Sequence, residues 1–248
     1  PYLRKSYQSK KDVAAVLMEA LPGTILLAFT AMLIAIIFGI VLGVTAAARK
    51  GTLVDRFCSL VSVAGISAPS FFMALLMAFA FGWLLSDYTG LHITGSMYEV
   101  DAHTGEMHLA LRNLILPSFT LGIRPMAIIT QLTRSSMLEV LSADYIRTAY
   151  AKGLSERRVL WRHALPNALN PVITAITGWF AELLAGSFFI EFIFGWKGIG
   201  KVTVDALEKL DYPVVLGSVL LTAFIFVLIN MLSDVFYRLF DPRMRNAV

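Results

Sequence analysis

Residues 195–201, Gly-Trp-Lys-Gly-Ile-Gly-Lys, fill the first seven positions of a G-x4-G-K phosphate loop. Such a loop cradles phosphate oxygens with backbone N–H groups and then supplies a Ser or Thr hydroxyl to Mg²⁺. Here that position is Val202, with Thr203 one residue late, and the segment follows a long apolar run, so it is not read as a nucleotide site. A second grouping sets His92, His103 and His108 among Asp87, Glu99, Asp101 and Glu106. These are transition-metal ligand types, but their spacing matches no metal site, and loop histidines of this kind are ordinarily solvated. Arg124 and Glu182 form a third grouping, each a lone charge inside a long apolar run.

The elements that must position these residues are set by the composition. The 248 residues are 57% hydrophobic and 15% charged, with a mean hydropathy of +0.71. A soluble domain carries about a quarter charged residues. Disordered and nucleic-acid-binding proteins are thereby excluded, and an integral membrane protein remains. The single cysteine, Cys58, cannot form an internal disulfide. No Asp, Glu, Lys or Arg occurs from Ala20 to Ala48, from Phe57 to Ser86 or from Tyr212 to Ser233. Each run exceeds the roughly 20 residues a helix needs to cross a bilayer. Two further runs, Asn113 to Thr133 and Ala164 to Ile190, carry Arg124 and Glu182 respectively, giving five expected spans.

Gly and Pro inside these runs are tolerated because neighbouring helices re-satisfy the backbone. Gly39 and Gly43, four residues apart, mark a place of close helix approach. A charge at bilayer depth is costly against lipid, so Arg124 and Glu182 face a pore, a partner or each other. They line a path across the membrane, or they serve only packing or contact with a second subunit. An intramembrane hydrolase needs a nucleophile and base, or paired acids, at that depth. The runs hold no interior His or Asp and one interior Glu, which argues strongly against that class.

Sidedness follows from charge. Residues 49–56, 134–162 and 234–248 together carry 12 Lys and Arg against 6 acids, and residues 1–19, 87–112 and 191–211 carry 8 against 10. The first set is expected to be cytoplasmic, placing residue 1 outside and the C-terminus inside. Arg4, Lys5, Lys10 and Lys11 sit on the wrong side for that rule, and the sequence opens on Pro1. An additional span ahead of Pro1 is the expectation that accounts for both. No signal peptide is visible before the first long run.

The long connection 133–167 is too patterned for a passive linker. Ser142 or Asp144 is expected to cap a helix reaching about Lys152, Gly153 to stop it, Ser155 with Glu156 to start the next, and Pro166 to close that one. Leu154, Val159, Leu160 and His163 fall on or near one face of the second helix, and Arg157, Arg158 and Arg162 occupy the rest. A short basic amphipathic helix of this kind lies on anionic lipid or docks into a soluble partner.

The spacing Arg147-Thr148-Ala149, three residues, Gly153, nine residues, His163-Ala164-Leu165-Pro166 resembles the EAA loop of binding-protein-dependent ABC importer permeases, E-A-A-x3-G-x9-I-x-L-P. The spacing is kept in full, with Arg147 for Glu, Thr148 for the first Ala and His163 for Ile. Residues 144–169 are similar to the variant of the dipeptide, oligopeptide and nickel branch. Further segments resemble that branch: ALPGTILLAF early, LTRSSMLEVL before the loop, EFIFGWKGIG, DYPVVLGSVLL and the closing LFDPRMR. Residues 191–200 thus resemble the family's E-x-x-F-x-W-P-G-x-G turn, with Lys197 where proline is common. Arg124 and Glu182 belong to no family pattern.

The resemblance implies an all-α polytopic membrane protein of the type I ABC importer permease fold, with five spans here and six in the full chain. It implies one permease domain over 1–248, a coupling loop at 133–167 and extracytoplasmic loops at 87–112 and 191–211. The coupling loop would insert its second helix into a cytoplasmic ATPase, with Gly153 at the turn, Ala149 at a close-packing position and Leu165-Pro166 at the junction to the next span. Arg147, Thr148, Leu154, Ser155, Glu156, Arg157 and His163 complete that surface. The implied function is half of an import pathway for short peptides in a bacterial inner membrane. A nickel or other small-solute permease is the alternative within the family, and a passive channel or scaffold is the alternative outside it. The implied partners are a second homologous permease, two ATPase subunits or domains that hold ATP and Mg²⁺, an extracytoplasmic binding protein received in part by loop 87–112, and the lipid bilayer. No catalytic residue, metal, resident cofactor or nucleic acid is expected on this chain.

Overall fold

The structure, a computed structural model, describes residues 3–100 and 107–240. All five apolar runs are helical, but they differ in form. α1 (Val13–Ala48) is a single helix of 36 residues that passes through Pro22. At 1.5 Å per residue it extends about 54 Å, well beyond the roughly 30 Å of a hydrocarbon core. α5 (Arg112–Leu141) and α12 (Tyr212–Phe240) are also long and unbroken.

The second run departs from the single straight span expected over 57–86. It folds as α2 (Leu53–Ser67) and α3 (Ser70–Met77), with a break between them and the latter continuing as a π-helical turn over Ala78–Leu84. The break lies at Ala68, which is extended with ψ 131° ahead of Pro69. Proline supplies no N–H and its ring pushes the preceding residue out of the helical region, so the break is written in the Ala68-Pro69 pair. The fourth run gives α9 (Asn170–Gly186), 17 residues and about 26 Å long, followed by the short α10 (Phe188–Ile193).

The connections carry the remaining elements. α4 (Ser86–Thr89) leads into a hairpin of β1 (Tyr98–Val100) and antiparallel β2 (Met107–Leu109), with Tyr98 opposite Leu109. This small hairpin is a local exception to the all-helical expectation, confined to the segment 87–112. α6 (Asp144–Ala151), α7 (Glu156–Arg158), a π-helical turn over Val159–Ala164 and α8 (Leu165–Ala168) make up the long connection. α11 (Ile199–Glu208) lies between α10 and α12.

These elements form two compact units. One comprises the residues up to Ala31, Pro69–Leu121 and Phe180–Ile229, and the other Met32–Ala68, Gly122–Trp179 and the residues from Asn230. In the first unit, Val13, Leu17 and Ala20 of α1 pack with Ile199, Ala206 and Val214. Gly217 permits the approach of α12, since a Cβ there would stand 2.5 Å from Val13 Cγ1. In the second unit, Gly39 and Gly43 bring α1 against α5, where added Cβ atoms would meet Ile129 at 2.7 Å and Thr133 at 2.5 Å. The small-residue pair therefore marks a helix crossing, as its spacing predicts.

The segment before α1 is held by Asp211. Its carboxylate accepts the Ser6 hydroxyl, the Tyr7 N–H at 3.0 Å and the Gln8 N–H at 3.4 Å. Burial alone pushes this carboxyl up, but those donors and the Val214 N–H outweigh it, and Asp211 titrates below the usual 3.8. A depressed carboxylate pKa contributes stability that is present above the unfolded value and is lost as pH falls through the folded one. Protection of the Tyr7 and Gln8 amides from hydrogen exchange, normalised for intrinsic rate, is therefore expected to persist at neutral pH and to fall below about pH 3.8. Equal protection in the native chain and in Asp211→Asn at pH 7 would remove this role.

Candidate functional site

The long connection folds as helix, turn, helix. Ala143, extended, stands ahead of Asp144, and neither it nor Ser142 caps α6; the Ser142 hydroxyl instead donates to the Glu139 carbonyl at 2.7 Å. The helix ends where Gly153 adopts φ +77°, with its N–H donating to the Tyr150 carbonyl at 2.9 Å and the Leu154 N–H to the Ala149 carbonyl at 3.3 Å. That pair of bonds is a Schellman stop, which favours glycine because side chains are strained at positive φ. Ser155 does occupy the position ahead of the next helix, without a side-chain cap bond, and Glu156 lies in its first turn. Pro166 does not close that helix. The chain stays helical to Ala168, because Pro166 falls in the first turn of α8, just past the π-helical turn, where a missing N–H is tolerated.

The apolar face of this segment is occupied by its own unit. Ile146, Ala149, Val159, Leu160, Ala164 and Leu165 are buried with Val44 and Ala47 of α1 and Met137 of α5, and Leu154 packs against the cluster. His163 is half-buried. Facing outward are Arg147, which makes an exposed pair with Asp144 at 3.5 Å, and Thr148, Gly153, Ser155, Glu156, Arg157 and Pro166. Tyr145, Tyr150 and Trp161 are also exposed, Trp161 by 42%. A cleft of about 250 Å³ beside Trp161 carries Arg49, Glu156 and Arg157 on its wall.

The cluster rests on an ion pair that joins α2 to α5. Arg134 donates Nε to Asp55 Oδ1 at 2.5 Å and an Nη to Oδ2 at 2.9 Å, while the Gly51 N–H also donates to Oδ2 at 2.9 Å. This fork-on-fork geometry fixes direction as well as distance. It lies one helical turn ahead of Met137.

The phosphate-loop look-alike closes on an internal carboxyl group. Glu191, wholly buried, accepts the Gly200 N–H at 2.7 Å and the Lys201 N–H at 3.2 Å at the start of α11, the Thr24 hydroxyl at 2.8 Å and the Ser187 hydroxyl at 2.6 Å. Burial pushes its carboxyl up, and the four hydrogen bonds work against that shift. Thr24 in turn accepts the Ile199 N–H at 2.8 Å, and buried Trp196 donates Nε1–H to the Gly23 carbonyl at 2.9 Å. Cβ atoms at Gly198 and Gly200 would stand 2.4 and 2.9 Å from Glu191 Oε2. The Lys201 ammonium pairs with Asp205 at 2.8 Å. The glycines therefore admit a carboxylate from the chain itself, and the lysine points elsewhere.

Arg124 is exposed on α5 and stacks over Trp179 of α9, 5.3 Å from the ring centroid. Glu182 is exposed on α9. Of the loop histidines, His92 is exposed. Asp101, His103 and Glu106 lie outside the described residues, as do the side chains of Glu99 and His108, the tail from Asp241 onward, and Pro1.

Residues 39–246 match the family described as binding-protein-dependent transport system inner membrane component. The chain belongs to this family. It is 40% identical to the di/tripeptide transport system permease protein DppB of Pseudomonas aeruginosa, over 98% of this chain and 76% of that one. It is 39% identical to the dipeptide transport system permease protein DppB of Escherichia coli K12, over 97% and 76%. The fold is similar to that of the inward-facing MetNI methionine ABC transporter, with a TM-score of 0.69 at 16% identity over 91% of this chain and 96% of that chain. It is also similar to that of an amino acid ABC transporter, with a TM-score of 0.64 at 13% identity over 91% and 94%.

As a permease of this family, the chain has features that its sequence pattern did not single out. Trp161, Tyr145 and Tyr150 carry no motif signal; their exposure emerges only once Val159 and Leu160 take the inner face. Asp55 and Arg134 are 79 residues apart and entered the sequence reading only as loop charges. A lone acid near the start of one helix and a lone base late in another were the available signal.

Proposed function

We propose that this permease forms half of an ABC importer pathway for short peptides, coupled through residues 133–167 to a cytoplasmic ATPase that hydrolyses ATP on separate subunits or domains. A second homologous permease and an extracytoplasmic binding protein complete the assembly, and residues 134–162 face the cytoplasm. The observation that carries the coupling reading is the orientation of the long connection. Its aliphatic side is taken up by Val44, Ala47 and Met137 and so is not offered to lipid. What remains outward is a knob with Arg147, Thr148, Glu156, Arg157 and three aromatic rings, and its arginines, tyrosines and tryptophan are residue types that anchor protein interfaces. The relatives transport dipeptides or di/tripeptides by their names, which favours peptides over nickel. In this reading Arg124 and Glu182 line the pathway.

The test is uptake of Ala-Ala by the four-part complex in proteoliposomes. Uptake is expected to need ATP and the binding protein and to be unaffected by Ni²⁺. Gly153→Trp is expected to lower peptide-stimulated ATP hydrolysis about tenfold, in keeping with the ~1–2 kcal/mol that a side chain meets in left-handed backbone. Entry without ATP would favour a channel, and ATP-driven Ni²⁺ uptake would move the substrate to the metal branch.

A further inference from the structure

The segment ahead of α1 lies against the start of α12 within one unit, and the two line a groove of about 400 Å³. Small-ligand sites have volumes of about 300–1,000 Å³. Leu3, which packs on the cluster of Val13, Leu17 and Val214, lines it from the segment. Leu216 and Leu220, one turn apart and both exposed, line it from α12. Phe224 and Val227 continue that exposed apolar face along the helix at four- and three-residue spacing.

The same groove also carries polar chemistry. Tyr7 and Tyr212, both more exposed than buried, line it together with Arg4. Arg4 adopts φ +64°, and its carbonyl accepts the Val13 N–H at 3.1 Å, which ties this cation to the start of α1. The nearby acids do not neutralise it. Asp12 stands opposite Lys5 in an antiparallel bridge, and Asp211 is buried with its carboxylate taken up by Ser6, Tyr7, Gln8 and Val214. Among the described residues no acid forms an ion pair with the Arg4 guanidinium.

An aliphatic slot on a lipid-facing helix, with a guanidinium and two tyrosines lining it, has the divided polarity of a phospholipid. Tyrosines concentrate at headgroup level, and a guanidinium fork matches phosphate oxygens in two-point fashion. A soluble anion gains nothing from Leu216 and Leu220, and a zwitterionic lipid offsets its phosphate with its own ammonium. We propose that this groove holds one anionic glycerophospholipid, its phosphate on Arg4 and an acyl chain along Leu216 and Leu220. The lipid then fastens the segment before α1 to α12 from the membrane side, while Asp211 fastens it from within.

The test titrates the whole complex, second permease and ATPase included, with phosphatidylglycerol or phosphatidylcholine of identical acyl chains, and reads bound lipid by native mass spectrometry. The first phosphatidylglycerol is expected to bind about tenfold more tightly than phosphatidylcholine, and glycerol phosphate is expected not to displace it. Arg4→Asn removes the charge with a side chain that tolerates positive φ. It is expected to weaken phosphatidylglycerol about fivefold, the equivalent of the ~1 kcal/mol of one basic residue at a lipid surface. Arg4→Lys is expected to stay within about twofold, and Lys152→Gln, a cation of the other unit, to change nothing. Leu220→Trp fills the groove without changing charge and is expected to weaken binding at least as much as Arg4→Asn; the Arg4 variants alone decide the test should it fail to assemble. Equal affinity for the two lipids, equal losses in Arg4→Asn and Lys152→Gln, or full binding by an assembled Leu220→Trp complex would each overturn the site. Displacement by glycerol phosphate would reassign it to a soluble anion, and binding only after the partner subunits are stripped away would give the groove to a protein neighbour.

Discussion

Glu191→Ala is expected to lower the apparent melting temperature of the detergent-solubilised permease by about 10 °C, with Glu191→Gln costing a fraction of that. The alanine removes the acceptor of four donors in a site closed to water: the Gly200 and Lys201 N–H groups and the Thr24 and Ser187 hydroxyls. Each buried donor left unmet costs about 1–3 kcal/mol. The two hydroxyls can turn toward other acceptors, whereas the two N–H groups are fixed by α11. A net loss of about 3–5 kcal/mol corresponds to a shift of about 10 °C for a chain of this size. Glutamine keeps one carbonyl oxygen for the helix N-terminus and turns its amide toward hydroxyls that can accept. A scan in which the alanine and glutamine variants melt together would show that the carboxylate is a bystander.

That buried carboxylate also explains where the sequence was readable and where it was not. Apolar runs report helices directly, because a segment without charges can remain in lipid only if its own backbone bonds are satisfied. Gly153 is readable too, since its positive φ is a local requirement. So are Gly39 and Gly43, whose spacing alone places them on one face. Pro69 sat in plain view, yet tolerance of proline in membrane helices hid the break that follows from Ala68 being forced out of the helix. Pro166 misled in the opposite direction. Its local signal is a stop, but a π-helical turn shifts the register so that the chain continues to Ala168. The Gly195–Lys201 segment carried a phosphate-loop pattern because the geometric need is shared. Glycines let an acceptor approach backbone N–H groups at a helix start, and the local pattern does not say that the acceptor is the Glu191 carboxyl, four residues upstream of Gly195. Pairs such as Asp55 with Arg134, and the stacking of Arg124 on Trp179, depend on which helices are neighbours, and that information is absent from any window of sequence.

The outward and inward faces of residues 144–168 separate two roles that one substitution alone would confuse. Trp161→Ala is expected to weaken ATPase association at least tenfold and to leave the melting temperature of the isolated permease unchanged within about 2 °C. A well-placed tryptophan at an interface contributes about 2 kcal/mol or more, and truncating a side chain that is 42% exposed opens no cavity in the fold. Ala149→Phe acts from the other side. Ala149 is buried against Ile146, Val159 and Leu160, so a ring there displaces the second helix from α1 and α5, at a cost of about 1–3 kcal/mol from overpacking. Both variants then lose stimulated ATP hydrolysis, but only the phenylalanine variant loses stability with it. If Trp161→Ala binds the ATPase as tightly as the native chain, the docking surface lies elsewhere on the knob, and the exposed Tyr145 and Tyr150 become the next residues to truncate. If instead it destabilises the permease as much as Ala149→Phe does, Trp161 belongs to the packing of the loop, and the division between an inner structural face and an outer docking face is wrong.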